Sequence, residues 1–367
     1  MSVQLIQPGP DRDDPSSVNA TSGSSHRPER ADGSGRELAI GLLNNMPDGA
    51  LAATERQFIS LLSSAAEGLP VRLTLYYLPE VPRSEAARRH LDQTYCSAES
   101  LWNAELDGLI VTGREPLASS MADEPYWNSF VRVLEWAREN TSSTVWSCLA
   151  AHAAVLHMDG IQRARSSRKH CGIFDCSRVS DHAITHEVPV RFRSPHSRWN
   201  GLREADLRRC GYQVLALAGE AGVDCFIKQD SSLFLFFQGH PEYEPDTILQ
   251  EYRRDAVRFL RGESNTYPSY PRGYFDTRTL QELQAIRATA GSLPQTEMLA
   301  RLDRALASGG TQNGWHATAR ILYRNWLRYI HTAKGLRHEK TDAAEMNVPL
   351  NAPDAVGRSQ ARGLATR

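Results

Sequence analysis

Short apolar runs alternate with longer amphipathic stretches through most of the chain. The runs are rich in β-branched, leucine and aromatic residues, which is typical of buried strands. They cover residues 37–43, 71–78, 108–112, 144–147 and 233–237. Apolar positions at helical spacing cover residues 51–64, 125–138 and 246–260. This alternation predicts an α/β fold with a doubly wound, mostly parallel sheet.

The stretch between residues 171 and 228 has a different pattern. It holds two further predicted strands, at 186–192 and 213–217, with few helical stretches between them. Strands that lack crossover helices pair antiparallel rather than parallel. We therefore expect this part of the chain to form an antiparallel insertion or extension of the main sheet.

Both ends of the sequence are poor in large apolar side chains. Residues 1–36 are rich in Ser, Gly, Pro, Asp and Arg, and residues 334–367 are mainly charged and small. Such segments bury too little apolar surface to offset the entropy of ordering the backbone. The sequence predicts disordered tails at 1–36 and 334–367 around a single folded domain at 37–333.

Composition narrows the class of partner. The chain carries 42 Lys and Arg against 43 Asp and Glu, so no net charge attracts nucleic acid or an anionic membrane. The N-terminus lacks a signal-peptide pattern, and no stretch approaches the roughly 18 apolar residues of a membrane helix. The six cysteines have neither disulfide-framework nor zinc-knuckle spacing. We expect a cytoplasmic protein that binds small molecules, without a metal.

Cys148 lies where a predicted strand ends and a run of small residues begins. Ligands of open α/β sheets bind beyond the carboxyl ends of the strands, which places Gly113, Cys148 and His240 at one site. A thiol on such a turn is accessible, and the backbone N–H of Leu149 can hold an oxyanion. A covalent acyl carrier requires both properties. A lone cysteine is more often a small buried apolar residue, so this interpretation needs a base nearby.

The segment after the strand at 233–237 supplies a candidate base. Gly239 is followed by His240 and, two residues later, by Glu242. A thiol needs an adjacent imidazole to become a nucleophile at neutral pH, and the imidazole needs a carboxylate to fix its tautomer. Taken singly, His240 would be a loop histidine and Glu242 a solvated carboxylate. Together with Cys148 they fit the roles of nucleophile, base and orienting group.

A series of short blocks follows in a fixed order along the chain. The blocks are Leu42-Leu-Asn-Asn-Met-Pro, Thr54-Glu-Arg-Gln-Phe, Tyr95-Cys, Asp107-Gly-Leu-Ile-Val-Thr-Gly, Tyr126-Trp, Gly239-His-Pro-Glu-Tyr, Glu251-Tyr-Arg-Arg-Asp and Asn325-Trp-Leu. The series resembles the homoserine O-acyltransferase (homoserine O-succinyltransferase) family over about residues 38 to 333. The resemblance implies the class I glutamine amidotransferase-like fold, with flavodoxin-like winding of the sheet.

The resemblance also implies a two-step acyl transfer in methionine biosynthesis. Cys148 would take the acyl group from an acyl-CoA co-substrate, and no further cofactor is expected. His240, oriented by Glu242, would then activate the hydroxyl of L-homoserine to attack the acyl-enzyme. A homodimer is compatible with the resemblance.

The same matching places Lys169, Ser197 and Arg254 at substrate-binding positions. Arg254 can bind an α-carboxylate through two parallel hydrogen bonds, Lys169 offers a compact positive charge, and Ser197 offers a hydroxyl. The alternative for Arg254 is an ion pair with Asp255 or Glu251 on the helix surface, which would contribute little.

The sequence departs from the family pattern at two places. After the nucleophile it has Leu149-Ala-Ala-His, where the family usually has Trp-Gly-Ala-Gln, so His152 replaces a glutamine. After the predicted strand at 108–112 it has Gly-Arg-Glu-Pro-Leu, and Leu117 falls where Gly or Glu separates succinyl from acetyl users. Leucine would narrow the acyl pocket without supplying charge. Succinyl is favoured over acetyl, and both donor and acceptor stay open.

Three other interpretations stay open at this point. A glutamine amidotransferase or related Cys-His-Glu hydrolase shares the fold and triad, although this sequence lacks the glycines and glutamine usual at the elbow. A diverged binding protein without activity is the second. A zinc site built from His152, Cys148 and Cys171 or Cys176 is the third, although no pair has the short spacing of metal ligands.

Overall fold

The elements of the fold follow the alternation that the apolar pattern predicts. The computed structural model describes residues 3–6, 37–290, 292–308 and 314–346, with side chains up to residue 336. Its strands are β1 (Val3–Ile6), β2 (Leu38–Leu43), β3 (Val71–Tyr77), β4 (Cys96–Ser97), β5 (Gly108–Thr112), β6 (Ser143–Ser147), β7 (Ala164–Arg178), β8 (Arg191–Gly201), β9 (Gln213–Ala218), β10 (Gly222–Gln229) and β11 (Leu233–Phe237). Its helices are α1 (Asp48–Ala65), α2 (Glu85–Thr94), α3 (Trp127–Asn140), α4 (Leu149–Asp159), α5 (Glu204–Arg209), α6 (Thr247–Leu260), α7 (Thr277–Ala288), α8 (Gln295–Ser308) and α9 (His316–Met346).

The described strands form one mixed sheet in the order β1-β3-β2-β5-β6-β11-β10-β9-β7-β8, with β4 also against β3. From β1 to β11 in this order, each strand runs parallel to its neighbour. Strands β10, β9, β7 and β8 continue the sheet antiparallel. The chain moves from β2 to β3 on one side and later to β5 on the other, which is the doubly wound order. Both the parallel sheet and its antiparallel extension are confirmed.

Two helical layers cover the sheet because successive side chains of a strand point to opposite faces. On β2, Leu38, Ile40 and Leu42 pack in one buried cluster with residues of α1 and α9. Ala39 and Leu43 pack on the other face with residues of α3 and α4. A third buried cluster joins α6, α7 and α8 beside β7. No described helix is both long and apolar enough to cross a membrane.

The predicted strand at 186–192 is wrong for most of its length. Residues Ala183–Thr185 form a short 3-10 helix, Glu187 has a left-handed φ of 62°, and β8 begins only at Arg191. The side chain of Asn325 donates hydrogen bonds to the carbonyls of Ile184 and His186, at 3.0 and 2.6 Å. Polar tertiary contacts thus hold this apolar segment in a turn.

The predicted tails largely lie outside the described residues. Within them, Val3–Ile6 forms the parallel edge strand beside Val71 to Thr74, and α9 continues past residue 334 to Met346. Lys334 lies 2.9 Å from the carboxylate of Asp107 at the base of β5. At these points the structure extends beyond the predicted 37–333 domain.

Candidate active site

Cys148 occupies a sharp turn between β6 and α4. Its backbone angles are φ 50° and ψ −105°, a conformation that L-residues rarely adopt. Its N–H donates a 2.7 Å hydrogen bond to the carbonyl of Phe237 at the end of β11. Strained backbone of this kind is characteristic of functional sites, and here it presents the thiol at the carboxyl edge of the sheet.

His240 and Glu242 follow β11 and lie next to the thiol. The N–H of His240 donates to the carbonyl of Pro195 at 2.8 Å, and its Nδ1 lies 2.8 Å from Oε1 of Glu242. The other ring nitrogen is left for Cys148, whose sulfur is close enough to raise the pKa of the imidazole. The structure therefore brings together the three side chains that the sequence assigned to catalysis.

The charges around His240 favour its protonated form. Burial alone would lower the pKa of the imidazole, but Cys148 and Glu242 raise it through charge and hydrogen bonding, and the pKa of His240 lies well above its usual range. Ser147 donates a second hydrogen bond to Oε1 of Glu242, at 3.3 Å. The site is arranged to hold a proton on the imidazole beside a sulfur nucleophile.

Gly239 is required by the packing beneath His240. A Cβ at this position would lie 2.4 Å from Oδ1 of Asp224, 2.5 Å from Oγ of Ser194 and 3.1 Å from Nε2 of His196. Ser194 donates to Asp224 at 3.0 Å, and His196 Nε2 lies 3.0 Å from the same oxygen. This buried polar group supports the loop that carries the base.

The same group holds the described His, Cys and acidic side chains that are closest to a metal-ligand arrangement. Atoms of Cys176, His196 and Asp224 lie within 4.8 Å of one another, and all three residues are buried. Arg198 Nε donates to Nδ1 of His196 at 3.4 Å, so the neutral ring carries its proton on Nε2, toward Asp224. A metal would need the lone pair of that nitrogen, which this tautomer does not offer. Among the described residues, His152 and Cys148 are not gathered in this way with either Cys171 or Cys176.

A cavity of about 620 Å³ opens over the thiol. The predicted site residues that line it are Cys148, Leu149, Lys169, Ser197, His240, Glu242 and Arg254. Leu117 is the exception, since 77% of its surface is exposed and it lies outside the cavity lining. The structure thus separates the residue expected to select the acyl group from the cavity that would hold it.

Glu251 on α6 organises one wall of this cavity. Ser197 donates a hydrogen bond to one oxygen of Glu251, and the hydroxyl of Tyr243 donates to the other at 2.7 Å. The Tyr243 ring stacks on the His240 ring with centroids 4.2 Å apart. The carboxylate of Glu251 therefore contacts Ser197 directly and His240 through the ring of Tyr243.

Asp255 lies one turn further along α6 and pairs with two cations. Lys169 Nζ is 3.4 Å and Arg254 Nε is 3.0 Å from its carboxylate. Burial would lower the pKa of Lys169, but the charges of Cys171, Glu251 and Asp255 outweigh it and raise that pKa. The wall therefore presents fixed charges of both signs, which suits a zwitterionic substrate.

Gly113 brings the loop after β5 into contact with the start of α4. A Cβ on Gly113 would lie 2.3 Å from the backbone nitrogen of Ala150 and 2.6 Å from the carbonyl carbon of Leu149. Only glycine allows this approach. The unpaired N–H groups of the first turn of α4, with Leu149 at its start, are the available oxyanion donors beside Cys148.

His152 is buried behind the nucleophile turn. Its Nε2 lies 3.0 Å from Oε1 of Gln238, whose amide nitrogen donates to the carbonyl of Val223 at 2.7 Å. Burial, together with the charge of Arg198, lowers the pKa of His152 to about 3, so the ring is neutral. His152, which stands where the family usually has glutamine, thus contacts Gln238 beneath the site and does not line the cavity over the thiol.

The cavity residues without a role assigned from the sequence include Arg114, Arg198, Tyr243 and Glu251. Arg198 is 4% exposed and donates to the carbonyls of Asn200 and Ala221, close enough to Cys148 for their charges to interact. A signal for Glu251 was available, since it shares a helical face with Arg254 and Asp255 at spacings of three and four.

A doubly wound sheet that brings Cys148, His240 and Glu242 together at its carboxyl edge defines an α/β protein with a candidate Cys-His-Glu site. A sequence profile described as homoserine O-succinyltransferase matches residues 18–335. The homoserine O-succinyltransferase of Rhodopseudomonas palustris is 47% identical over 292 residues, covering 80% of this chain and 88% of that protein. The protein of the same name from Bradyrhizobium japonicum is 43% identical over 295 residues, covering 80% and 90%. The chain belongs to the homoserine O-succinyltransferase family, as the resemblance predicted.

A solved structure also aligns with most of this chain. A glutamine amido transferase from Methylobacillus flagellatus aligns with a TM-score of 0.44 at 12% identity, covering 80% of this chain and 95% of that chain.

Proposed function

We propose that this protein transfers the succinyl group of succinyl-CoA to the hydroxyl of L-homoserine, a step of methionine biosynthesis. The observation that supports this most strongly is the contact of Cys148, His240 and Glu242 in a cavity that also presents fixed charges of both signs. Family membership supports the substrates. In this proposal the protein works in the cytoplasm, alone or as a homodimer, with acyl-CoA as co-substrate and no cofactor.

The first half-reaction moves the acyl group to Cys148. The thiolate attacks the thioester carbonyl, and the resulting oxyanion is held by the N–H of Leu149 and by the N-terminus of α4. A bond forms between Sγ and the acyl carbon, and the bond to the sulfur of CoA breaks. The proton held by His240 goes to the departing CoA thiolate.

The second half-reaction moves the acyl group to the acceptor. His240, now neutral and oriented by Glu242, takes the proton of the homoserine hydroxyl as its oxygen attacks the acyl-enzyme. The new ester bond forms, the bond to Sγ breaks, and the thiolate and imidazolium are restored. The two steps balance without a redox partner.

The charged side chains on this wall of the cavity suggest how homoserine binds. Lys169 and Arg254 supply positive charge for the α-carboxylate, and Glu251 and Asp255 supply negative charge for the α-ammonium. Ser197 donates to Glu251 and fixes its direction. Binding of a zwitterion would replace the Asp255 pairs with substrate contacts.

Intact-protein mass spectrometry tests this proposal. Wild type and Cys148→Ala are exposed briefly to succinyl-CoA, to acetyl-CoA or to glutamine, and L-homoserine is then added. We expect a succinyl adduct on wild type alone, discharged by homoserine with release of the ester. Absence of an adduct with either thioester would reject the acyltransferase. Release of glutamate from glutamine would favour the hydrolase instead.

A further inference from the structure

Arg114 lies in the lining of the cavity, and Leu117 does not. Arg114 lines the cavity together with Cys148 and Leu149, whereas Leu117 is exposed outside it. Arg114 directly follows Gly113, whose tight packing on Ala150 fixes the backbone of this loop beside the oxyanion donors. The side chain of Arg114 therefore borders the same cavity as the thiol of Cys148.

Arg114 differs from the other cations of the cavity because no described residue forms an ion pair or a hydrogen bond with its side chain. Lys169 and Arg254 pair with Asp255, and Arg258 lies 4.0 Å from Glu263. Arg198 donates to backbone carbonyls. Among the described residues, Arg114 makes no hydrogen bond or ion pair, and its Nε is buried without an acceptor.

A second cation, Arg83, lies close enough to Arg114 for the two positive charges to repel each other. Arg83 is almost fully buried and is held by Asp48 and by backbone carbonyls. Burial, and then the neighbouring charge of Arg114, lower the pKa of Arg83 against the pull of Asp48. Repulsion between two guanidinium groups would be relieved by an anion bound at Arg114.

The loop that carries Arg114 is built to stay in place. Glu124 is buried and accepts a 2.6 Å hydrogen bond from the N–H of Ala118. Glu115, the acid next to Arg114, also lines the cavity, and its carboxylate lies 3.7 Å from the guanidinium of Arg163. The neighbouring acid is therefore already engaged, and the guanidinium of Arg114 stays available to a ligand.

We propose that Arg114 binds the distal carboxylate of the succinyl group and so selects succinyl-CoA over acetyl-CoA. Succinyl differs from acetyl by one CH₂–COO⁻ unit, and a planar guanidinium matches that carboxylate with two parallel hydrogen bonds. In this chain the acyl preference thus resides at residue 114 rather than at residue 117. The inference rests on the proposed function, and it names the residue that selects the donor.

Donor competition tests this assignment. For Arg114→Gln we expect kcat/KM for succinyl-CoA to fall roughly 10- to 100-fold, the loss of a charge-assisted pair, with little change for acetyl-CoA. Arg114→Lys should recover part of the loss. Leu117→Gly should leave the ratio of the two donors unchanged. Arg278→Gln, on the exposed face of α7, is the matched control for removal of one arginine.

Other results would overturn the assignment in distinguishable ways. An equal loss of kcat/KM with both donors would mean that Arg114 binds the CoA moiety or supports the loop, and does not select the acyl group. An unchanged donor ratio in Arg114→Gln, or a changed one in Leu117→Gly, would reject it outright. If wild type accepts neither donor, the proposed function itself fails. Occupancy of Cys148 by each donor, measured by mass, replaces kcat/KM where acetyl transfer is too slow to time.

Discussion

His240 divides its two ring nitrogens between a carboxylate and a sulfur nucleophile. Nδ1 faces Glu242 at 2.8 Å, and the other nitrogen faces Cys148. Both neighbours raise the pKa of the imidazole well above its usual range, which favours the protonated form and moves loss of the proton to higher pH. In the proposed mechanism, the acid that protonates the departing CoA is therefore present before the donor binds.

Glu242→Gln removes one of these neighbours. The amide keeps the shape but not the charge, so we expect the pKa of His240 to fall and the alkaline limb of the kcat/KM profile for succinyl-CoA to move to lower pH. The rate itself should fall by roughly 10²- to 10⁴-fold. A pH profile measured beside Glu244→Gln, the same change two residues away, checks this. An unshifted alkaline limb would show that Glu242 does not act through His240.

At the residue scale the meeting of Cys148, His240 and Glu242 could be predicted from the sequence, because Cys148 directly follows β6 and the other two lie on the loop after the apolar strand β11. Arg114 and Leu117 could not be placed, since both lie in a polar loop whose path depends on Gly113 meeting α4 and on Glu124. Glu251 was seen as an ion-pair partner of Arg254, whereas it accepts from Ser197 and Tyr243. Such contacts depend on tertiary structure and leave no local pattern.

At the scale of elements, the active site depends on the joint between the loop after β5 and the first turn of α4. Buried strands such as β5 and β11 were predictable from apolar runs alone. The segment before β8 was not, because Asn325, about 140 residues away, holds its carbonyls in a turn. Long-range hydrogen bonds there override an apolar pattern that favours a strand.

Gly113→Ala tests this joint. The new Cβ would lie 2.3 Å from a backbone nitrogen of α4, so either the loop or the helix start must move. We expect kcat to fall roughly 10²-fold through displacement of the oxyanion donors, and the overpacking to cost about 1–3 kcal/mol of the free energy of unfolding. Gly49→Ala on α1 meets no atom within 4 Å and is the control. Wild-type kcat in Gly113→Ala would show that this contact is not needed.

At the scale of the whole molecule, the sheet joins a parallel half that carries Cys148 to an antiparallel half that carries Ser197 and Arg198. The polar residues of β8 were not recognised as a strand, although β8 supplies the carbonyl of Pro195 that holds His240. His152 and His196 are buried, neutral imidazoles in the structure beneath the site. Burial lowers the pKa of His152 to about 3 and that of His196 to about 4.

These two histidines should make the fold sensitive to mild acid. A free imidazole titrates near pH 6.5, so between that pH and the folded-state pKa the unfolded chain binds more protons, and stability falls as the pH falls. Between pH 7 and pH 5 each buried ring should cost about 2 kcal/mol of the free energy of unfolding. In His152→Gln, which restores the family's usual residue, we expect this loss to shrink by about that amount. Denaturant unfolding at both pH values measures it, with His186→Gln, at an exposed imidazole, as the matched control. If the free energy of unfolding falls equally between pH 7 and pH 5 in wild type and in His152→Gln, the His152 ring accepts a proton inside the fold. The assignment of His152 as a neutral imidazole beneath Cys148 would then be wrong.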